Sequence, residues 1–480
     1  MTIRPKSVRF VALLAVLAAA ACSSRAAPTD APSAPPVDAY ALAVLTDTNP
    51  DPRVVEVTLA ATPSQVEYLP GKTADVWAYR DASIAGSRGT VPGPMLVANR
   101  GDQVIVHFKN ELPESTTVHW HGLRLDNAMD GSMSTQQVIM PGASFDYRFT
   151  LLDAGSFWFH PHVRGDVQVE RGLYAPLVVH GDDVPLDVTA ERYLVVDDVK
   201  LSADGQLAAD TDEMDLMMGR QGNVLLVNGK KAGELHVHAG GRERWRIVNA
   251  ANGRFFKLRL AGHTFTVVGS DGGLAPAPLH VDELLIVPGE RYDVLIDLPG
   301  EAGTRVALES VFYDRGHKMP DTGAKPLLDV VYGPGVGRAL ADVPASLRTI
   351  APLGATSTTA TRRMELRESE AADGPRFTIN DQYWPFNTPV MVKQGDLEIW
   401  EIVNTAEMDH PFHLHGMFFQ PLDASGAPDV SRGWKDTINV VQSSTLKLAV
   451  RYEALGMWMF HCHILEHAER GMMGDLMIMP

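Results

Sequence analysis

The chain has 480 residues, 45% of them apolar, enough for several hydrophobic cores and about three domains at roughly 150 residues each. With 42 Lys and Arg against 59 Asp and Glu, the net charge of −17 argues against recognising nucleic acid or anionic lipid by charge. Two cysteines, Cys22 and Cys462, exclude a disulfide framework.

In chain order, Arg4, Lys6 and Arg9 form a basic leader before an apolar run from Phe10 to Ala21, too short to stay in a bilayer as a spanning helix. Small residues then precede Cys22. Residues 1–22 therefore read as a signal peptide of lipoprotein type, with Cys22 acylated; ordinary cleavage after an A-x-A stretch is the alternative. Either reading exports the mature chain, to the periplasm or to the outer membrane of a bacterium as a lipoprotein. The Pro-, Ala- and Ser-rich stretch that follows opens a flexible tether over 23–49. Beyond residue 50 the segments 101–112, 242–250, 291–298 and 395–404 are rich in Val, Ile and aromatics and bounded by Gly, Pro and Asn. They predict short strands and an all-β fold of sandwiches or Greek-key barrels.

An internal repeat sets the architecture. With Gly101 over Gly395, Asn110 falls on Asn404, His119 on His413, His121 on His415 and Gly122 on Gly416. With Gly240 over Gly395, Trp245 falls on Trp400 and Asn249 on Asn404. The block from Gly155 to His162 aligns with Gly456 to His463. One β-domain type thus appears three times, over 50–185, 188–345 and 376–480, with 346–375 read as a linker. The middle copy puts Phe255, Leu258 and Leu260 where the third has His410, His413 and His415. The first copy has Thr116 and Pro161 in place of His410 and Cys462.

Ten of the 17 histidines fall in four clusters, at 119–121, 160–162, 410–415 and 461–467. On a strand, His-x-His puts both imidazoles on one face, about 7 Å apart. Four such clusters in register predict a multinuclear metal site, and imidazoles with a single thiolate point to copper, iron or zinc. Zinc structural sites usually recruit several cysteines, which this chain lacks. His410, Cys462, His467 and Met472 are the ligand types of a blue-copper centre, with neighbouring Met473 as the other axial candidate. Cys462 lies between His461 and His463, so its backbone would connect that centre to a second one.

The motifs HWHG, WFHPH, HPFHLHG and HCHILEHAERGMM resemble the copper signatures of the three-domain multicopper oxidases, the laccase-like enzymes, over nearly the whole mature chain. The resemblance implies three cupredoxin-like barrels and four coppers per chain. Type 1 copper would be held by His410, Cys462 and His467 with Met472 axial. Type 2 would take His119 and His413. The type 3 pair would take His121, His160, His162, His415, His461 and His463. It also implies one-electron oxidation of phenols, amines or similar donors, coupled to four-electron reduction of dioxygen to water, with Cys462, His461 and His463 carrying electrons between the sites. The donor would dock on an apolar ledge beside an exposed edge of His467 or His410. Asp130 resembles the family's carboxylate near the cluster and, in DNAMDG, also reads as a turn residue. A relay found after the last type 1 histidine in relatives is here Ala468, leaving Glu466 or Glu469 as substitutes or as solvated charges.

Periplasmic oxidation of Cu(I) is the alternative activity, with Met214, Met217, Met218 and Asp436 as a thin set of guides near the type 1 site. Those methionines otherwise read as a short loop on the core, and Asp436 equally as a turn carboxylate. A non-catalytic electron carrier is the alternative of another class, but it would need only the type 1 set. The expected partners are a small donor and dioxygen, with membrane contact only through Cys22, and the chain is expected to act as a monomer. His236 and His238 read as surface residues; His107, His180, His263, His280 and His317 match no cluster.

Overall fold

The computed structural model describes residues 40–181, 184–208, 211–354 and 358–480; the leader, Cys22 and the first part of the tether lie outside the described residues. The described chain is nearly all strand, with three short α-helices: α1 (Gly165–Glu170), α2 (Glu213–Met218) and α3 (Leu465–Glu469).

Each of the three sequence repeats contributes two sheets. In each, the same mixed pairing recurs. Val54–Leu69 runs parallel to Gln103–Asn110, Ala190–Val199 to Gly241–Asn249, and Ala360–Ala371 to Leu397–Asn404. Each second strand then pairs antiparallel with a later one: Ser144–Thr150, Arg291–Leu298 and Thr445–Arg451. The repeated asparagines are latches. Asn110, Asn249 and Asn404 are each about fully buried. Each donates its amide to two backbone carbonyls and accepts from the backbone N–H two residues on. A buried amide with all partners satisfied fixes the turn that leaves the strand.

The second sheets of the first and third copies carry the histidines. One is ordered Leu96–Asn99, Ala175–His180, Gly155–His160, His119–His121. The other is ordered Val390–Lys393, Met473–Met479, Gly456–Cys462, His410–Leu414, Thr437–Val440. In the middle copy Phe255, Leu258 and Leu260 are buried core residues, at 8%, 0% and 0% exposure.

Three expectations need correction. The tether ends before residue 40, since Tyr40 and Leu45 are buried and Val44 bridges to Met95. The segment 346–375 is not all linker, because Ala360–Ala371 is a sheet strand. Its inward residues Met364 and Leu366 are buried, and the charged residues around them masked the alternation. Residues 213–218 form helix α2, not a loop, started by a capping box between Asp212 and Asp215.

Candidate metal centre

Strand periodicity sorts the ligands. In Gly456–Cys462, Trp458, Phe460 and Cys462 point into the barrel core, so His461 takes the opposite face. In His410–Leu414, Phe412 and Leu414 point inward with His410, while His413 points out. The first copy does the same. Trp120 and Phe159 enter its core, and His119, His121 and His160 face outward. Register pairs His413 with His461 and His119 with His160. The outward faces meet, and rings from different copies stack: His121 on His413 and His119 on His415, both at 3.8 Å between centroids. All ten histidines of the four clusters are buried.

The hydrogen bonds assign the ring nitrogens. His415 Nδ1 donates to the Asp130 carboxylate at 3.0 Å, and His461 Nδ1 donates to the Cys462 carbonyl at 2.9 Å. Their Nε2 lone pairs therefore face each other at 3.1 Å, with His162 Nε2 another 3.3 Å from His461 Nε2. Facing lone pairs repel unless a cation lies between them, so this cluster fits a bound metal. Buried nitrogens without partners add to the set: Nε2 of His119, His160 and His413, Nδ1 of His121, and both of His463. Burial and facing imidazoles hold His121, His160, His162, His461 and His463 well below the ordinary histidine range, and bring His415 down to about 3. Neutral imidazoles are the form that binds metal.

The second group lies inside the third barrel. Cys462 Sγ is 3.4 Å from His410 Nδ1 and 3.9 Å from His467 Nδ1, and those nitrogens are 3.2 Å apart. Burial pushes the free thiol well up, so a thiolate here needs a metal partner. Met472 packs in the cluster that contains Cys462, and its carbonyl accepts from the Cys462 N–H at 3.0 Å. Met473 packs elsewhere, with Met459, Ala468 and Trp384, which singles out Met472 as the axial candidate. Histidines, one thiolate and a thioether are a copper-type donor set.

Asp130 is brought to the cluster. Its carbonyl accepts from His119 Nδ1 at 2.8 Å while its carboxylate holds His415. Burial alone would raise this carboxyl, but His415 and His119 hold it well below the usual range. Next to it Gly131 has φ +83°, and a Cβ there would strike the Val118 carbonyl.

Asp436 does not sit by the type 1 group. It lies by the other cluster, with Oδ1 3.2 Å from His121 Nε2 and 3.4 Å from His413 Nδ1. Arg291, from the second copy, clamps both oxygens at 2.7 and 2.6 Å. Sequence reading missed Arg291 because its partner is 145 residues away. Glu466 and Glu469 are not solvated charges. Glu466 accepts from Asn252 at 2.8 Å, Glu469 from the Gly165 N–H at 2.6 Å, and burial pushes both carboxyls up to about 7. Neither His410 nor His467 has an exposed edge, contrary to the expectation of a ledge; both are at 0% exposure. His317, which matched no cluster, lies 3.4 Å from Glu368, and Glu368 lies 3.6 Å from His410.

The geometry defines a copper protein of three β-barrels, and comparison with known proteins agrees. Family profiles described as multicopper oxidase match residues 71–183, 197–305 and 353–480. Multicopper oxidase MmcO of Mycobacterium tuberculosis is 31% identical over 454 residues, covering 88% of this chain and 86% of that protein. A solved Campylobacter jejuni multicopper oxidase, described as a metallo-oxidase, aligns with TM-score 0.79 at 28% identity, over 91% of this chain and 94% of that one. A laccase-like multi-copper oxidase CueO of Ochrobactrum sp., described with activity towards lignin model compounds and lignosulfonate, aligns with TM-score 0.77 at 28% identity, over 92% and 100%. The chain belongs to the multicopper oxidase family. It is a copper-dependent oxidoreductase that uses dioxygen as acceptor.

Proposed function

We propose that this chain binds four coppers and works as a laccase-type oxidase of phenols and aryl amines. His410, Cys462, His467 and Met472 would hold the type 1 ion. His119 and His413 would hold type 2. His121, His160, His162, His415, His461 and His463 would hold the type 3 pair. Copper supplies the one-electron steps that join single-electron donors to four-electron reduction of dioxygen. The observation that carries the reading is the facing Nε2 pair of His415 and His461, 3.1 Å apart, one peptide bond from Cys462.

The chain's own residues do the rest. Cys462 lies covalently between His461 and His463 and so connects the two centres through backbone. Asp130 fixes the ring orientations of His119 and His415, and Arg291 keeps Asp436 ionised beside His121 and His413. Phe377 stacks on His467 at 3.8 Å and keeps water from its face.

Oxidation of Cu(I) is a second reading. It is favoured by a thioether, an imidazole and a carboxylate, from Met217, His317 and Glu368, lining one pocket beside His410. Phenol turnover by copper-loaded enzyme, with and without a Cu(I) chelator, separates the two. Turnover that survives the chelator supports the laccase reading. Loss of phenol turnover with fast direct Cu(I) oxidation supports the second.

Export of the chain as a monomer, anchored through Cys22 or free in the periplasm, rests on the leader sequence. Palmitate labelling of the wild type against Cys22→Ala, with light scattering of the purified protein, tests it.

A further inference from the structure

The two type 1 histidines differ in what covers them. His467 Nε2 donates to the Met217 carbonyl of α2 at 3.0 Å, and Phe377 lies on its ring face. Its edge and face are both taken. His410 is just as buried, but its Nε2 has no hydrogen-bond partner and points at Glu368 Oε1, 3.6 Å away. That carboxylate oxygen is also without a hydrogen bond. Glu368 is 14% exposed and lines a cavity of about 450 Å³ together with Met217, His317, Glu370 and Glu407.

The cavity mouth is negative. Glu407 is 83% exposed and Glu370 is exposed beside it. The one arginine of the lining, Arg367, is turned into ion pairs with Glu365 and Asp381 at 2.7 and 2.8 Å. His317 is set between Glu368 and Glu407, 3.4 and 3.6 Å from their carboxylates, and its N–H donates to the Glu407 carbonyl. It holds φ +53° there, a conformation few residues adopt without support. Asp409 donates its N–H to the Arg315 carbonyl and accepts from the Tyr313 hydroxyl, both at 2.7 Å, which ties the loop down.

We infer that electrons enter over His410 through the Glu368 pocket, not over His467, and that this pocket selects cationic donors. The inference rests on the oxidase reading above and adds the charge class of the donor and its place of entry. Glu368, Glu370 and Glu407 are specificity-determining residues. Each donor gives up one electron, breaks no bond and leaves one charge more positive, with dioxygen as the final acceptor. A negative mouth around a low-dielectric cavity raises the local concentration of such cations and opposes anions.

The test uses three ferrocenes as one-electron donors to copper-loaded enzyme: a trimethylammonium cation, neutral ferrocenemethanol and a sulfonate anion. The Glu370→Gln/Glu407→Gln double variant is compared with wild type, and Glu301→Gln, on an exposed turn of the second copy, is the control. The cation-to-anion ratio of kcat/KM should fall roughly tenfold in the double variant and hold in the control. A separate readout needs no turnover. In the reduced holoenzyme, a redox-inert chromium(III) tris(ethylenediamine) cation should broaden the Met217 methyl resonance more than those of exposed Met140 and Met391. Hexacyanochromate(III) should not, and the double variant should lose the preference. The references matter because the whole chain carries −17 and attracts cations everywhere. An unaltered donor ratio, or equal broadening at the three methionines, overturns the inference while leaving the oxidase reading intact. Failure to oxidise any of the three donors overturns both.

Discussion

Cys462 ends a strand whose alternate residues are core, and that position decides what it does. Its side chain enters the third barrel with His410 and His467, while its neighbours His461 and His463 belong to the other cluster. Cys462→Ser should abolish the strong thiolate-to-copper visible band and leave the β-sheet circular dichroism unchanged; a variant that stays blue would contradict the assignment. His160 supplies no type 1 ligand. His160→Ala should therefore stop oxygen consumption while donor still bleaches the blue band anaerobically, and wild-type oxygen uptake would make 160–162 a structural motif. At this scale the grouping of the histidines and Cys462 was legible, because metal chemistry restricts residue type and spacing. Their supports were not. Arg291, Glu368 and His317 are ordinary residues whose roles come from partners far away in sequence, and Asp436, read as a guide near the type 1 site or as a turn carboxylate, lies by His121 and His413 instead.

At the scale of elements, the strand Arg291–Leu298 of the second copy begins with the guanidinium that clamps Asp436. Both groups are buried, so Arg291→Leu leaves a buried carboxylate without its cation. The expected loss is about 3–5 kcal/mol of stability, read as a lower urea midpoint; a midpoint equal to wild type would mean the carboxylate finds another partner. In the strand Ala190–Val199, burial and the neighbouring Asp198 push the Asp197 carboxyl up to about 7. An unfolded aspartate titrates near 3.9, so folding favours the protonated form. That contribution is complete below about pH 4 and is lost as pH rises through about 7. Asp197→Asn should therefore gain stability relative to wild type across this window; a pH-independent difference would rule out the shift. Strand alternation made Gln103–Asn110, Gly241–Asn249, Arg291–Leu298 and Leu397–Asn404 readable from sequence. It failed at Ala360–Ala371, where arginines and glutamates flank the inward Met364 and Leu366, and at α2, where six residues are too few for a periodic signal.

Across the whole molecule, three copies of one barrel have taken different roles. The first and third present histidines on outward faces that pack together, and the second fills the same positions with core residues while lending Arg291 and the His317 loop to its neighbours. The repeat was legible because the latching asparagines and the His-x-His pairs keep their spacing. The arrangement of copies was not, since it rests on side chains that meet only after folding. In the proposed enzyme the two metal groups act as one machine, in which single electrons collected at the Cys462 centre are spent together on dioxygen. The most direct measurement is the stoichiometry of copper-loaded enzyme in an oxygen electrode, with a one-electron donor and an assay for hydrogen peroxide. Four donor molecules should be oxidised for each dioxygen consumed, with no peroxide released; two per dioxygen, with peroxide accumulating, would mean that the two groups do not work together.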